Sequence, residues 1–416
     1  MVLTGPDGRL PGFELEVAPV WQVVAPVVRW SRETLDIDLA VLRPLRRDAD
    51  AASSDPTRRY EAEWLGGGIP IGWHVRSIDD LPESVGSALA IPVGAHQPWY
   101  RPGWFAAMSA WVDARLADAG IRRLGPLRQV RSWGRSALLQ LETDGGKLWA
   151  KDVPAIFAHE VRVAALLTDL DPGLVPSLVA ADVNVGRMLM EHVHGAALTA
   201  IPDEPLAWTA TMARLAEAQR VLAADPAVLE VAGVPQARLH DLAVDVPGLL
   251  ADDELLRVGQ PRGLTEDDAA ALRSQVDDLA AAAERLASGP VPSSLDHGDF
   301  SADQVIIGEM GPVILDWSDA TITHPFLTAA SFLGDPADPP SLPIEDLAAA
   351  YLGPWGDRAD PASLSRMLDD ARRIHPLHMA ALYARRILPG LDQPWEMDGI
   401  VADYLRPAAR SAGPAR

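Results

Sequence analysis

The chain has 416 residues, enough for two or three packed units, and 36 Lys and Arg against 58 Asp and Glu leave a formal net charge of −22. So acidic a surface repels nucleic acid and anionic lipid, and no uninterrupted apolar run approaches the length of a membrane span. The absence of cysteine excludes disulfides and thiolate zinc sites; with no basic stretch and apolar block at the amino terminus, a cytoplasmic location is expected.

In chain order, Ala18 to Glu33 predicts a helix, Leu35 to Leu42 alternates like a strand, and Tyr60 to Leu65 is a second strand ended by Gly66-Gly67-Gly68. Asp48 to Arg58 reads as an exposed loop. The order resembles a degraded Nudix-like domain, but no Glu-Glu follows Arg32-Glu33 to make that family's metal-binding helix. Residues 1–98 are therefore expected to form an accessory α+β domain without hydrolase activity. Pro98-Trp99-Tyr100-Arg101-Pro102-Gly103 marks the junction.

Beyond it, Trp104, Met108, Trp111 and Leu116 recur at helical spacing ahead of Gly120 as a C-cap, and read as core. Gln129 to Ser132, Ala137 to Glu142 and Lys147 to Val153 predict three strands, joined by Trp133-Gly134-Arg135-Ser136 and by Asp144-Gly145-Gly146. Ile156 to Leu167 has helical composition. Trp208, Met212, Leu215 and Leu222 form one apolar stripe. Leu272, Val276, Leu279, Ala283 and Leu286 form another, with Thr265 as N-cap, Asp268 at the third position and Gly289-Pro290 beyond its end. Arg257 to Gly263 is a loop. His375-Pro376-Leu377-His378 lacks a third metal ligand and reads as a helix start with exposed imidazoles. No Gly-x-Ser-x-Gly elbow supports an α/β-hydrolase.

The chemistry concentrates between Leu295 and Asp319. Val305-Ile306-Ile307 and Val313-Ile314-Leu315 predict a hairpin turning at Gly308-Glu309-Met310-Gly311. Asp299 and Gln304 precede its first strand and Asp316 ends its second. A hairpin returns its ends to one place, so the three side chains can converge. Two carboxylates and an amide oxygen suit a magnesium–nucleotide site, one Asp orienting a hydroxyl while the other residues hold metal on phosphates.

His297-Gly298-Asp299, followed by Asp316-Trp317, resembles the His-Gly-Asp-x-x-x-x-Asn and Ile-Asp-Trp motifs of the aminoglycoside phosphotransferase and choline kinase group, relatives of the protein kinases. The likeness runs from Leu124 to Leu333. It departs at Gln304, where the family has Asn, and at Thr328, where Thr323-His324-Pro325-Phe326-Leu327-Thr328 lacks the family's closing, lobe-bracing Asp.

The resemblance implies an α+β, two-lobed protein-kinase-like fold. A β-rich amino lobe would occupy 99–195 and a helical carboxy lobe 196–416. It implies transfer of the γ-phosphoryl group of ATP, or GTP, with Mg2+, onto a hydroxyl of a small polar acceptor of aminoglycoside, amino-sugar, sugar or amino-alcohol type. Asp299 would be catalytic, taking or orienting the acceptor proton, and Asp316 and Gln304 would hold the metal. Lys151 would steady the α/β-phosphates and Glu160 would hold Lys151. Gly134 would belong to a reduced nucleotide loop, and the backbone around Glu191 to Val193 would bind adenine. His297 would pack the loop. The two departures leave a second reading, a nucleotide-binding pseudokinase acting as sensor or scaffold. Against it stand Lys151, Glu160, Asp299 and Asp316 together, since a decaying site would be expected to lose one of them. The acidic surface reads first as a solubilising one, and it would tolerate a cationic acceptor.

Overall fold

The structure, a computed structural model, describes residues 2–5, 8–10, 22–45, 59–67, 83–334, 341–392 and 397–411. It divides into two compact units, the first Met1–Ala155, Val179–His192 and Gly390–Glu396, the second Ile156–Leu178, Val193–Pro389 and Met397–Arg416.

The first unit holds two sheets. Strands β1 (Val2–Gly5), β2 (Gly8–Leu10), β3 (Ile37–Leu45) and β4 (Arg59–Gly67) pair in the order β2-β1-β4-β3, with β1 parallel to β4 and the other pairs antiparallel. Helix α1 (Ala25–Leu35) starts with Pro26 in its first turn, where a missing N–H costs nothing, and ends at Asp36, whose left-handed φ of 55° lets its N–H cap Ser31 O. The helix expected from Ala18 thus begins at Ala25 in the described residues; Ala18 to Trp21, the Asp48 to Arg58 loop and Gly68 lie outside them. Strand β3 does not alternate in burial as its sequence suggested. Only Asp38 is exposed, because α1, α2 (Glu83–Ala90), the Pro98–Tyr100 turn and β5 all pack on it.

Helix α3 (Trp104–Ala119) ends at Gly120, φ 69°, and turns Trp104, Met108, Val112 and Leu116 into a core, with Trp111 only partly covered. That core is completed by Leu139, Leu141, Leu148, Ala150 and Leu189 of a five-stranded sheet. Its strands are β5 (Arg128–Trp133), β6 (Ser136–Thr143), β7 (Gly146–Asp152), β8 (Leu178–Asp182) and β9 (Arg187–Glu191), ordered β5-β6-β7-β9-β8. A second, separate core of Val24, Val27, Ile37, Leu39, Val41, Tyr60 and Ala62 belongs to the first sheet. Edge strand β5 ties the two together. Val24 N–H donates to Val130 O, Ser132 N–H donates to Gln22 O, and the buried Gln129 amide bonds both N–H and O of Val41 at 2.8 Å.

The second unit is mostly helical: α4 (His159–Leu170), α5 (Pro205–Leu222), α6 (Ala227–Val231), α7 (Leu239–Ala251), α8 (Glu266–Arg273), α9 (Val276–Ala287), α10 (Phe326–Gly334), α11 (Ile344–Leu352), α12 (Pro361–Leu382) and α13 (Ile400–Ser411). Short strands β10 (Ala196–Ala197), β12 (Val305–Gly308) and β13 (Gly311–Ile314) form one sheet, and β11 (Ser294–Asp296) pairs with β14 (Thr321–Thr323). Two expectations need correction. The stripe from Leu272 to Leu286 is two helices, broken at Ser274-Gln275, although the Thr265–Asp268 capping box is present. His375 and His378 sit not at a helix start but in the body of α12, where His378 is buried and burial pushes the His375 imidazole down to about 4.

Candidate functional site

Strand β11 delivers the chain to His297-Gly298-Asp299. Gly298 turns with φ 80°, and a Cβ there would lie 2.4 Å from Asp319 O, so a side chain is excluded twice over. His297 is fully buried. Its Nδ1 accepts the Asp299 N–H at 3.3 Å and its Nε2 donates to Leu315 O at 2.9 Å. One acceptor and one donor demand the neutral Nε2–H tautomer, and burial holds the imidazole below its ordinary pKa, favouring that form. His297 therefore ties the peptide of Asp299 to the residue before Asp316. Its ring also meets Trp317 and Phe300, with centroids 4.6 and 5.4 Å away.

The hairpin supplies the other two residues. Strands β12 and β13 pair from Val305↔Ile314 to Gly308↔Gly311 around a two-residue turn, Glu309-Met310. Beyond the last pair, Leu315 N–H donates to Gln304 O at 2.8 Å, setting Gln304 beside the segment that carries Asp316. Asp316 is left-handed, φ 59° and ψ 67°, a conformation that costs a residue with a side chain about 1–3 kcal/mol and clusters at working sites. Ser318 Oγ donates to Asp316 Oδ1 at 3.0 Å. Arg214 on α5 anchors the hairpin. It donates to Pro312 O and Met310 O and holds both Asp171 oxygens at 2.7 and 2.8 Å. The structure thus gathers the backbone segments of Asp299, Gln304 and Asp316 around one hairpin.

Glu160 lies buried in the first turn of α4, which packs on the Trp317–Asp319 turn just after Asp316. Its neighbour His159 is pushed down to about 3 by burial and then by the Arg386 charge. Arg386 belongs to a π-helical turn, Tyr383–Ile387, and donates to Ile156 O with its guanidinium over the Phe157 ring. Tyr383 and Tyr404 pair with centroids 5.2 Å apart. Burial, then the negative field of groups that include Tyr383, Asp299 and Asp319, pushes the Tyr404 phenol well above its ordinary value.

In the first unit, Lys151 is buried on β7 between Leu138 of β6 and Met188 of β9. The next residue, Asp152, accepts from Arg187 and from Trp104 Nε1, each at 2.8 Å. Burial raises the Asp152 carboxyl against the opposing charge of Arg187. Gly134 lies in a two-residue turn between β5 and β6, without a left-handed φ, its O bonded by Gln97 Nε2 at 3.1 Å. Glu191 ends β9, and the chain leaves this unit between His192 and Val193. His192 is fixed by its N–H to Lys147 O and by Trp149 Nε1 donating to its Nδ1, both at 3.1 Å.

Sequence reasoning missed Asp296, which is buried beside the motif and accepts a hydrogen bond from Thr328. The available signal was a carboxylate directly before the His297-Gly298-Asp299 motif. Among the described residues, no three His, Cys, Asp or Glu side chains cluster as a metal site, and no helix is long and apolar enough to cross a membrane.

A model of the phosphotransferase enzyme family matches residues 140–365, more than half of the chain. The chain belongs to that family. It is accordingly a small-molecule kinase, a phosphotransferase with an alcohol group as acceptor, on the expected α+β kinase-like fold. No curated protein sequence matches it. Among solved structures it is similar to a macrolide 2′-phosphotransferase type I, at 17% identity over 74% of this chain and 98% of that one, TM-score 0.48. It is similar to a choline/ethanolamine kinase family protein from Mesorhizobium loti, at 19% identity over 74% and 95%, TM-score 0.49. A third is the GDP complex of aminoglycoside 2′-phosphotransferase-IIIa, at 17% identity over 74% and 99%, TM-score 0.49. The assignment rests on the family match.

Proposed function

We propose that the protein transfers the γ-phosphoryl group of ATP to the hydroxyl of a small polar acceptor of amino-sugar, aminoglycoside, sugar or amino-alcohol type. The observation that carries this reading is the His297 link, which holds the Asp299 turn against the Leu315-Asp316 peptide. Asp299 takes the proton of the acceptor hydroxyl. The acceptor oxygen then bonds to the γ-phosphorus as the bridging P–O bond to the β-phosphate breaks, and ADP leaves. Lys151 is assigned to the α/β-phosphates and Glu160 to holding that lysine. The Gly134 turn is assigned to the phosphates, and the backbone at Glu191 and Val193 to the adenine.

Magnesium fits the donor set. It commonly takes one or two side-chain oxygens and completes its shell from phosphates and water, and Asp316 with Gln304 offers one carboxylate and one amide. When bound, it would neutralise charge on the β- and γ-phosphates. Most of the catalysis then comes from positioning, which favours a turn with no freedom, such as His297-Gly298-Asp299. The net charge of −22 supports an acceptor bearing a cation.

The deciding experiment measures ATP and GTP consumption with magnesium against a panel of hydroxylated metabolites and aminoglycosides. Acceptor-dependent turnover is expected for at least one amine-bearing compound. Nucleotide binding with no turnover across the panel would replace this reading with the scaffold.

A further inference from the structure

Five elements of the second unit meet behind the catalytic turn around one buried carboxylate. Asp296 ends β11, one residue before His297, and is 1% exposed. Thr328 on α10 donates its hydroxyl to Asp296 Oδ1 at 2.5 Å. The Thr328 hydroxyl oxygen in turn accepts the His297 backbone N–H at 3.1 Å and Gln219 Nε2, from α5, at 3.0 Å. A hydroxyl has one proton and two lone pairs, so all its capacity is committed. Gln219 Nε2 also donates to Leu295 O at 2.7 Å, and its Oε1 accepts from the Tyr351 hydroxyl of α11. From α12, His378 Nε2 stands 3.7 Å from Asp296 Oδ2, an ion-pair distance rather than a hydrogen bond.

Burial alone would raise the Asp296 carboxyl, yet His378, Thr328 and His375 together hold it below its ordinary value. An apolar residue would fill this position without the cost of burying a charge. What the carboxylate adds is direction. By accepting the Thr328 O–H hydrogen bond, it turns both hydroxyl lone pairs toward their N–H donors, one of which is the first peptide of the catalytic turn.

We propose that Asp296 is a positioning residue for phosphoryl transfer, acting through the Thr328 hydroxyl to fix the His297-Gly298-Asp299 turn. This rests on the function proposed above. Thr328, the position where the resemblance lacked its carboxylate, is thereby served by a carboxylate from the other side of the same hydrogen bond.

The test uses the full chain with Asp296→Asn, Thr328→Val, Thr328→Ser and the double variant Asp296→Asn/Thr328→Asp. The double variant moves the carboxylate across the bond, where its own oxygens can accept from His297 N–H and Gln219. Two readouts are taken, kcat against KM for ATP and acceptor, and hydrogen exchange of the His297 amide, which requires no turnover. Asp296→Asn and Thr328→Val should each lower kcat about 10²-fold with KM for ATP nearly unchanged, the scale of an ångström's misplacement. Each should also speed His297 exchange about tenfold, as expected for local loosening. The double variant should recover at least about tenfold in kcat over Asp296→Asn, and Thr328→Ser the same over Thr328→Val, by restoring the aimed acceptor.

A kcat within threefold of the parent in both single variants, or a double variant no better than Asp296→Asn, would overturn the proposal. If Asp296→Asn does not fold, the isosteric Thr328→Val and its Ser counterpart decide in the same way. A parent chain with no turnover on any acceptor withdraws the proposed function instead. His297 exchange then decides on the brace alone, and unchanged exchange overturns it.

Discussion

At the scale of single residues, the candidate site divides into groups named by local motif and groups visible only in three dimensions. His297, Gly298, Asp299 and Asp316 stand in short contiguous runs whose residue types already specify a turn and a strand end. The role of Asp296 was not legible, because its partners Thr328 and His378, and the Gln219 amide that shares the Thr328 hydroxyl, come from three different helices. The role given to Asp299 makes the first prediction. Asp299→Ala should lower turnover by at least ~10³-fold and leave nucleotide binding intact, since a group acting in the transition state contributes little to ground-state affinity. Steady-state kinetics beside calorimetric nucleotide titration check this; near-parental turnover would remove Asp299 from the mechanism. Gln304 makes the second. Its amide oxygen sits one methylene further out than that of Asn, and magnesium wants six oxygens at about 2.0–2.1 Å in near-ideal octahedral array. The metal requirement should therefore be raised, with manganese substituting well. Gln304→Asn should shift the metal-titration curve of turnover and Gln304→Ala should weaken it several-fold without unfolding the chain. A curve identical to the parent's in Gln304→Ala means that Gln304 is no ligand.

At the scale of elements, periodicity located helices and strands better than their ends. The stripe Leu272, Val276, Leu279, Ala283, Leu286 keeps helical spacing straight across the break between α8 and α9, and neither Ser274 nor Gln275 is a Gly or Pro that would announce it. The same limit misplaced His375 and His378. Pro376 reads as a helix start, whereas α12 carries it in its body, held by the packing of Leu377, Met379 and Ala380. The β12–β13 hairpin was legible because Gly308 and Gly311 flank a turn between two short apolar runs. Its value to the site depends on the turn opposite, where Gly298 has no substitute. Gly298→Ala should cost about 1–2 kcal/mol for the left-handed backbone alone, with more from the 2.4 Å approach to Asp319 O. Chemical denaturation should show that loss, and turnover should fall more steeply than stability because the turn must shift to relieve the contact. A Gly298→Ala protein matching the parent in both would mean that the turn is not rigid.

At the scale of the whole molecule, two predictions follow from what is buried and from what joins the sheets. His159 and His324 are both held at about 3, each chiefly by burial, so the folded chain keeps them neutral where the unfolded chain protonates them near 6.5. Stability is therefore fully present above pH 6.5 and declines toward 3, at about 1.4 kcal/mol per pH unit for each histidine. The melting temperature should fall steeply between pH 6.5 and 5. In His324→Asn, whose amide oxygen can still accept the Phe326 N–H bonded to Nδ1 at 3.2 Å, the slope should be shallower. An unchanged slope would mean that His324 does not carry the acid sensitivity. The second prediction concerns residues 1–98, whose standing as a separate accessory domain is a proposal. They have a core of their own around Val27, Leu39, Val41 and Tyr60, and to the core of Trp99, Trp104, Met108 and Leu139 they add only the partly buried Val93 at its margin. A chain beginning at Trp99 would lose the cover of β5, with the backbone bonds from Gln22 and Val24, the partners of the buried Gln129 amide and Ser132 hydroxyl, and the Gln97 bond to Gly134 O. Each buried polar group left unpaired costs about 1–3 kcal/mol, although a newly exposed edge recovers part of this from water. The truncated chain should therefore fold cooperatively and bind ATP, with stability lower by about 2–5 kcal/mol for those few groups. Gln129→Leu in the truncated chain, removing the stranded amide, should recover part of the loss. An insoluble or molten product would mean that residues 1–98 are structurally part of the lobe they cover, and that the boundary at Pro98 is not a domain boundary.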